Sequence, residues 1–544
     1  MNGRQFQRLF FAACFLLLVA PPAMAQPKLP PEIEQQLAGK KKFRDIKAVV
    51  ENYFKSELAS TARTAEEKKV LFRDRKFWNR SLYEAESHLN ERGEIENAPK
   101  RIFDYLQSNQ NLRTTSIGGA WQLVGPTSVT EGIGRINRLA FDPNNSLKIF
   151  AGSSGGGLFI TSNGGLSWSN VGSFIPSLGI SGIVVSHANS NTIYVLTGDG
   201  DSHSGEGLVF RYGYIRWSVG VLKSTDGGNS WQKTADFPNL ANERYTGLRL
   251  VQDPNNANTL LAATSHGLFR TTDGGANWTR SNLVNDDDVM VYDVEYRPGS
   301  SSIVYAAYQN NGAGSDGVFS RSSDGGQNFL TSPTYSPNSF TSVQRIEIAV
   351  TPADASAVYL LAGPGNKASN TFKGLWKSTD NGLNFSRTAN SPNVLGEADF
   401  SKNDQNYYDL AMAVSPTAPN TVITGGVVVF RSTSGGILFS QATSYNGSPN
   451  IHPDVHDLAF NPADGKLYAA TDGGVAVSGD NGVSWARRFS GLSCSQFYHF
   501  SMQDDGGDIW GGTQDNGVLI KNGSASSFDR YHGGDGYDVL TDMP

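Results

Sequence analysis

The sequence contains little cysteine. Of its 544 residues only two are cysteine, Cys14 and Cys494. If the first 25 residues are removed, as argued below, Cys494 remains alone and no internal disulfide can form. An exported chain without disulfides must be held together by its hydrophobic core, which favours a large sheet protein over a small cross-linked one.

Charged residues and long apolar runs are also scarce, and neither sign of charge is in large excess. Charged residues make up 18% of the chain, the formal net charge is −6, and no long basic run occurs. This composition argues against a nucleic-acid partner. Glycine, by contrast, is abundant at 60 residues, and high glycine with modest charge suits many strands joined by tight turns.

The one long apolar run predicts a secretory signal peptide over residues 1–25. Arg4 and Arg8 precede the apolar segment 9–20, which is too short to span a bilayer as a stable helix. A small-x-small cleavage sequence follows and leaves Gln26 as the new N-terminus. We therefore expect a secreted or cell-surface protein with no membrane span, whose partner is an extracellular protein, peptide or polysaccharide.

Residues 26–117 predict a small helical region. Thr64 and Glu67 have the spacing of a capping box at a helix start. Apolar residues then recur on one helical face, at Leu71, Trp78 and Leu82. The basic residues on the opposite face indicate a solvated surface.

From Trp121 onwards one octet recurs seven times. The copies are TSNGGLSW (161–168), STDGGNSW (224–231), TTDGGANW (271–278), SSDGGQNF (322–329), STDNGLNF (378–385), STSGGILF (432–439) and SGDNGVSW (478–485). A repeat of roughly fifty residues is typical of a propeller or a solenoid. Further apolar segments in each unit, such as NRLAFDP (137–143) and KIFAGS (148–153), give four short strands, which is one propeller blade.

Turn chemistry explains the octet without a substrate. Its Gly-Gly or Asn-Gly pair suits a hairpin turn with positive φ, its Asp and hydroxyl groups bond the turn backbone, and its final aromatic packs between sheets. Asn163 and Ser434 replace the Asp in two copies, which should weaken those turns. The predicted structural residues are Asp226, Trp231, Asp273, Trp278, Asp324, Phe329, Asp380, Phe385, Asp480 and Trp485.

The octet resembles the Asp-box, Ser/Thr-x-Asp-x-Gly-x-x-Trp/Phe, of the sialidase-type β-propellers. Within that superfamily the chain is most similar to sortilin-type and xyloglucanase-type propellers, and especially to large secreted bacterial proteins with BNR repeats that are described as glycosyl hydrolase-like. The resemblance covers about 121–544 and implies that the Asp-boxes lie on the rim away from the ligand.

The fold class expected is all-β, a multi-bladed β-propeller with Asp-box hairpins that follows a small α-helical segment. The propeller is predicted over 118–544, with at least eight blade repeats and an incomplete ring. The segment YDVLTDMP (537–544) repeats the inner-strand pattern YDVEYRP (292–298). We therefore expect a ninth blade to begin there and the natural chain to continue. AWQLVGP (120–126) resembles an outermost strand that could close the ring with C-terminal strands.

Alternating strand direction predicts binding on the face opposite the octets. The loops after the second and fourth strand of each blade open on that face, and they are long and varied, as binding loops usually are. The predicted ligand-binding residues there are Arg135, Asp199, Asp201, His203, His452, Asp454, His456, Asp472, Asp515 and Asp535.

A metal site is one hypothesis for part of this set. If HPDVHDLAF (452–460) is extended, His452, Asp454 and His456 point the same way, and such ligands suit Zn²⁺ or another first-row ion. GDGDSHSGEG (198–207) resembles a Ca²⁺ loop only loosely, because it lacks the required spacing. No cofactor is otherwise indicated. In the competing interpretation, the acids only bond loop backbone.

Two functions compete. We expect a non-catalytic propeller that binds a protein, peptide or glycan on the face opposite the Asp-boxes. The alternative is a xyloglucanase-like glycoside hydrolase with paired Asp residues at the channel mouth, since glycosidases generally need two facing carboxyl groups. A sialidase is disfavoured, because GRIN at Arg135 lacks the Pro of that family's Arg-Ile-Pro and no clear arginine triad follows.

Overall fold

The structure, a computed structural model, describes most of the chain. The described residues are 29–37, 40, 42–86, 89–94, 98–108, 123–127, 129, 131–171, 178–203, 216–241, 243–283, 289–309, 317–330, 339–340, 343–364, 372–396, 405–406, 408–445, 451–503, 507–523, 525, 527–536 and 539. The predicted signal peptide and the expected start of a ninth blade at 537–538 lie outside them.

Among the described residues of the N-terminal region there are four helices. They are α1 (Pro31–Leu37), α2 (Phe43–Ala59), α3 (Ala65–Glu86) and α4 (Ala98–Ser108). The predicted capping box is present at α3, where the Thr64 backbone N–H donates to the Glu67 carboxylate at 2.7 Å and the Glu67 N–H donates to Thr64 Oγ1 at 3.2 Å. The predicted apolar face of α3 is buried.

The rest of the described chain consists of antiparallel sheets of consecutive strands. Blade 1 contains β1 (Ile136–Asp142), β2 (Asn145–Ser153), β3 (Leu158–Thr161) and β4 (Ser169–Asn170). Blade 2 contains β5 (Ile180–Val185), β6 (Ile193–Thr197), β7 (Val221–Ser224) and β8 (Gln232–Lys233). Blade 3 contains β9 (Gly247–Asp253), β10 (Asn256–Thr264), β11 (Gly267–Thr271) and β12 (Thr279–Arg280). Blade 4 contains β13 (Met290–Tyr296), β14 (Val304–Gln309), β15 (Gly317–Ser322), β16 (Phe329–Leu330) and β17 (Ser339–Phe340).

Three further blades and an additional sheet follow. Blade 5 contains β18 (Val343–Thr351), β19 (Asp354–Pro364), β20 (Gly374–Ser378) and β21 (Ser386–Ala389). Blade 6 contains β22 (Ala411–Val414), β23 (Val422–Gly425), β24 (Val429–Ser432) and β25 (Ser440–Gln441). Blade 7 contains β26 (Val455–Phe460), β27 (Leu467–Thr471), β28 (Gly474–Ser478) and β29 (Ala486–Arg487). The eighth sheet contains β30 (Phe497–Met502), β31 (Ile509–Thr513), β32 (Gly517–Lys521) and β33 (Asp529–His532).

Seven of the eight sheets form a closed ring, which confirms a propeller but corrects the expectation of an open ring. The inner strands neighbour one another in chain order, and β26 of blade 7 lies beside β1 of blade 1. The closure is fixed by Trp168, whose Nε1 donates to the Arg488 carbonyl at 2.7 Å and whose backbone N–H donates to the Ser490 carbonyl at 2.9 Å. The described residues 123–127 contain no strand, so the predicted closing strand is not seen there.

The eighth sheet lies beside the ring and contacts it through its loops. Ser495 Oγ donates to the Ile133 carbonyl at 2.6 Å, and Gln496 Nε2 donates to Ser154 Oγ at 2.7 Å. The loop between β31 and β32 adds a bond from Asn516 Nδ2 to the Asp472 carbonyl, at 2.9 Å. These contacts place the eighth sheet at the long-loop face of the ring.

The octets are hairpin turns between the third and fourth strand of each blade, as predicted. In blade 2, Ser224 Oγ donates to Asp226 Oδ1 at 2.8 Å, and the Ser230 N–H donates to the same oxygen at 2.9 Å. Gly227 and Gly228 both have positive φ, 76° and 100°. In blade 1, Asn163 Oδ1 also accepts from the N–H four residues on, at 3.0 Å. The substitution therefore keeps that turn bond.

Replacing an octet tryptophan is expected to destabilise the fold. Trp231 is 5% exposed within the core between blades 1 and 2. We expect Trp231→Ala to lower the free energy of unfolding by about 3 to 5 kcal/mol, because burial is lost and a cavity remains. Urea unfolding measures this change. Unaltered stability would show that the octet aromatic does not hold the blades together.

No helix among the described residues is long and apolar enough to cross a membrane.

Candidate site at the channel mouth

The long-loop face of the ring contains a group of charged side chains, here called the mouth cluster. Its members are Arg135, Asp199, Asp201, Tyr408, Asp454, His456, Asp472 and Asp515. They come from blades 1, 2, 6 and 7 and from the eighth sheet. The structure therefore brings together seven of the ten residues that the sequence predicts, and Tyr408 joins them.

The loop after β6 supplies two buried carboxylates. Asp199 pairs with Arg135 and accepts a bond from Asn137 Nδ2 at 3.0 Å. Asp201 lies next to the guanidinium groups of Arg138, at 3.2 Å, and Arg345, at 3.1 Å. Burial raises the pKa of Asp201, but these two arginines outweigh it and hold the pKa well below the usual range of Asp. Asp201 therefore stays ionised and forms buried ion pairs with both guanidinium groups.

His456 lies at the centre of the mouth cluster. Its Nδ1 is 3.2 Å from Asp201 Oδ2, and its Nε2 is 2.9 Å from Asp472 Oδ1. Burial lowers the pKa of His456, but Asp472 and Asp201 outweigh it, so the pKa is raised. Tyr408 packs its ring edge-on to the imidazole and donates its hydroxyl to Asp472 Oδ2 at 2.8 Å. The imidazole ring thus links two carboxyl groups whose pKa values are lowered.

Asp454 and Asp515 lie in the more open part of the mouth cluster, where both are half-buried. Burial, followed by the charge of Asp472, raises the pKa of Asp454 to about 7. The same two causes raise the pKa of Asp515 well above its usual value. By contrast, Asp472 itself has a lowered pKa, because His456 and Arg135 outweigh its burial. The site therefore contains carboxyl groups with raised and with lowered pKa values side by side.

The other three predicted residues lie at the edge of the mouth cluster or outside the described part of the chain. Asp535 accepts from the Tyr498 hydroxyl at 3.1 Å and from the Asp515 N–H at 3.2 Å. His452 Nδ1 is 3.0 Å from the Pro453 carbonyl oxygen, and burial lowers its pKa. The side chain of His203 is outside the described part of the chain.

The predicted metal triad does not fit the geometry. The inner strand β26 begins at Val455, and Asp454 has a φ of +62°, so His452 and Asp454 do not project from one extended strand. Both ring nitrogens of His456 already face carboxylates. Among the described residues, no group of three His, Cys, Asp or Glu side chains is arranged to hold a metal ion.

A second set of charged groups, the channel cluster, lies deeper in the ring, and sequence reasoning missed its arginines and glutamates. Its members are Arg138, Arg249, Asp293, Glu295, Arg345, Glu347 and Asp457. All seven come from the inner strands, where charged residues interrupt an apolar run, as in GLRLVQD (247–253) and RIEIAV (345–350). That interruption is the sequence signal for a side chain facing the channel.

The helical region supports the loop that carries Asp199. The Asp199 N–H donates to the Arg216 carbonyl at 3.0 Å. The next residue, Trp217, is 5% exposed and packs into the core formed by the helices. Phe103 of α4 packs between blades 1 and 2. The helices thus lie against the same loops that present the mouth cluster.

Comparison with known proteins gives two curated relatives. A probable oligoxyloglucan-reducing end-specific xyloglucanase of Neosartorya fischeri is 24% identical over 276 residues, covering 49% of this chain and 28% of that protein. A xyloglucanase of Acetivibrio thermocellus is 27% identical over 123 residues, covering 22% of this chain and 13% of that protein. The chain therefore matches less than a third of either relative's length. No protein-family model matches the chain.

A solved structure agrees in fold. The GH74 xyloglucanase from Xanthomonas campestris aligns with a TM-score of 0.54 at 18% identity, covering 75% of this chain and 62% of that chain. This likeness shows a shared propeller-type architecture.

The comparisons correct the functional expectation. The sequence was interpreted as a non-catalytic binding propeller, and that interpretation is wrong. The curated relatives are xyloglucanases, so the findings favour the glycoside hydrolase alternative. The resemblance to xyloglucanase-type propellers agrees with these relatives, and a polysaccharide partner is consistent with them.

Proposed function

We propose that this chain is part of a glycoside hydrolase that acts on a xyloglucan-type polysaccharide at the channel mouth. The similarity to two xyloglucanases is the observation that carries this proposal. The supporting feature is the half-buried Asp454, whose pKa is raised to about 7 by burial, near Asp472, whose pKa is lowered by His456 and Arg135. Glycosidases use this division between a proton donor and a second carboxylate.

Asp454 is the proposed proton donor. Its pKa of about 7 keeps it largely protonated in mildly acidic solution, and a catalytic acid works best when its pKa lies near the working pH. Gln405 Nε2 donates to Asp454 Oδ1 at 3.1 Å, and the buried carboxyl group of Asp409 lies beside Asp454. In this proposal the Asp454 carboxyl group gives its proton to the glycosidic oxygen. The leaving sugar departs as this proton is transferred.

Asp535 is the proposed second carboxylate. It accepts bonds from the Tyr498 hydroxyl and the Asp515 N–H. It follows the last strand of the eighth sheet, whereas Asp454 directly precedes the first strand of blade 7. A sugar chain bound between these two parts would meet one carboxyl group from each. Asp535 would then activate water or stabilise the positive charge of the transition state.

The experiment measures release of reducing ends from xyloglucan by the purified chain and by Asp454→Asn. We expect Asp454→Asn to lower turnover by about a hundredfold, because a positioned acid contributes that much or more. Turnover by the unaltered protein should fall as the pH rises above about 7, since the donor loses its proton.

The matched control is Asp480→Asn on the octet face, which copies Asn163 of the first octet and should keep full turnover. Absence of turnover by the unaltered protein would refute the proposal, and so would a normal rate in Asp454→Asn.

Finer expectations from the sequence belong to the same proposal. They are secretion through cleavage of residues 1–25, boundaries at 26–117 and 118–544, and a relationship of the octets to the Asp-boxes of sortilin-type propellers. Detection of Gln26 as the N-terminus of the exported protein would support the first of these.

A further inference from the structure

Exposed apolar side chains on the ring are concentrated on one half of its octet face. Among the described residues 131–491, the large exposed apolar side chains other than Tyr445 form a set that we call the apolar arc. It consists of Leu147, Leu166, Leu383, Ile437, Leu438 and Val483. All six belong to blades 5, 6, 7 and 1, which are consecutive around the closed ring.

The seven octets allow an internal comparison at one structural position. Position six of the octet is Leu383, Ile437, Val483 and Leu166 in blades 5, 6, 7 and 1. The same position is Asn229, Ala276 and Gln327 in blades 2, 3 and 4. Every octet forms the same kind of hairpin, so the turn itself does not require an apolar residue there. The apolar residues at this position in blades 5, 6, 7 and 1 therefore point to a contact with something outside the blade.

Contacts between neighbouring blades join parts of the arc. Arg431 Nε of blade 6 donates to the Asn481 carbonyl in the octet of blade 7, at 3.0 Å. Lys377 Nζ of blade 5 donates to Asn420 Oδ1 of blade 6, at 3.0 Å. The Trp168 bonds described above hold the octet of blade 1 against blade 7. The arc thus follows a continuous, fixed rim.

A groove of about 360 Å³ lies at one end of the arc, between blades 1 and 7. Leu147, Leu166 and Tyr468 are among its apolar lining residues. This volume is at the lower end of the range for ligand pockets. It opens where Leu166 is 62% exposed and Leu147 is 49% exposed, so an apolar group entering it would cover surface that is now in water.

The charges at the groove are of one sign. Its lining includes Lys466 and Arg488 and, among the described residues, no Asp or Glu. Lys466 Nζ pairs at 2.8 Å with Asp464, but in the described part of the chain no carboxylate pairs with Arg488. The octet at this groove has Asn163 where five of the seven copies have Asp, which removes one more negative charge.

We propose that this groove and the apolar arc bind a polypeptide segment of another protein that carries large apolar side chains and carboxylates. One apolar side chain enters the groove, carboxylates meet Arg488 and Lys466, and the following residues run along the octets of blades 7, 6 and 5. This surface is separate from the mouth cluster, on the opposite face of the ring, so its partner does not compete with a polysaccharide.

The test uses two fluorescein-labelled libraries of extended twelve-residue peptides. In one library Leu and Phe are combined with Asp and Glu, and in the other the acids are replaced by Lys and Arg. Fluorescence polarisation with the purified chain measures affinity. We expect the acidic library to bind at least tenfold more tightly than the basic one.

The decisive variant is Leu166→Asn, which copies Asn229 of blade 2 and should therefore fold normally. It should weaken binding of the acidic library at least tenfold, and Lys466→Glu should reduce the preference for acidic peptides. The matched control is Gln327→Asn at the same octet position of blade 4, which should leave binding unchanged.

Three results would overturn the proposal. These are equal binding of both libraries or of neither, unaltered binding in Leu166→Asn, and self-association of the unaltered protein that Leu166→Asn abolishes. The last result, measured by light scattering, would assign the arc to a second copy of this chain. Xyloglucan turnover is expected to be the same in Leu166→Asn as in the unaltered protein.

Discussion

The variant Asp201→Asn is expected to lose about 3 to 5 kcal/mol of unfolding free energy. Asp201 is 2% exposed and lies within 3.2 Å of polar atoms of Arg138, Arg345 and His456. An amide fills the same space but carries no charge. The substitution therefore leaves positive groups buried without their counter-charge, which costs more than the loss of a surface ion pair.

Urea unfolding at pH 7 measures this loss, and Asp464→Asn is the matched control. Asp464 pairs with Lys466, whose side chain is 49% exposed, and such pairs are worth about 0 to 1 kcal/mol. The pKa of Asp201 is lowered in the folded protein, so its contribution is present at neutral pH and is lost as the pH falls below the unfolded pKa. The difference in unfolding free energy between Asp201→Asn and the unaltered protein should therefore disappear in acid. A difference that stayed constant would contradict an origin in the charge of Asp201.

Glu347→Gln is expected to remove a large part of the pH dependence of stability. Burial, with Asp293 next to it, raises the pKa of Glu347 from 4.5 to about 8. Between these two values the folded protein holds a proton that the unfolded chain has released. The free energy of unfolding therefore falls as the pH rises through this window, by about 1.4 kcal/mol for each unit of pKa difference.

From pH 5 to pH 8 the unaltered protein should lose about 3 to 4 kcal/mol through Glu347 alone. The amide in Glu347→Gln stays neutral, so its stability curve should be flatter over this range. Glu295, with a pKa raised to about 7 by burial, adds a second contribution that remains in the variant. Denaturant unfolding at several pH values gives the curves, with the exposed Glu51→Gln as control. Parallel curves for Glu347→Gln and the unaltered protein would show that Glu347 is ionised in the fold.

Much of the fold could be predicted from local patterns. The octet spacing gives the repeat, and the Gly pair with its Asp gives a hairpin whose bonds, such as those of Asp226, form within eight residues. Strand alternation then predicts which loops share a face, and the structure places Asp472 and Asp515 in loops of that face. These features depend on neighbours in the sequence, so one chain without relatives is enough to predict them.

The mouth cluster could be predicted in part. The acids and histidines on the long loops were found because polar residues are conspicuous there. The arginines of the channel cluster were missed because they lie within apolar strands and not on the long loops. The metal hypothesis required an extended backbone at Asp454, and the φ of +62° at that residue does not provide it.

The sequence by itself determined the blade unit, its turns and the face that carries the long loops. Tertiary structure decided that the ring closes after seven blades, where β26 lies beside β1 and Trp168 bonds to the carbonyls of Arg488 and Ser490 across the junction. It also decided that His456 meets Asp201 across 255 residues of sequence. Turn and strand signals act over a few residues, whereas ring closure and buried ion pairs depend on side chains that become neighbours only when all the blades have packed.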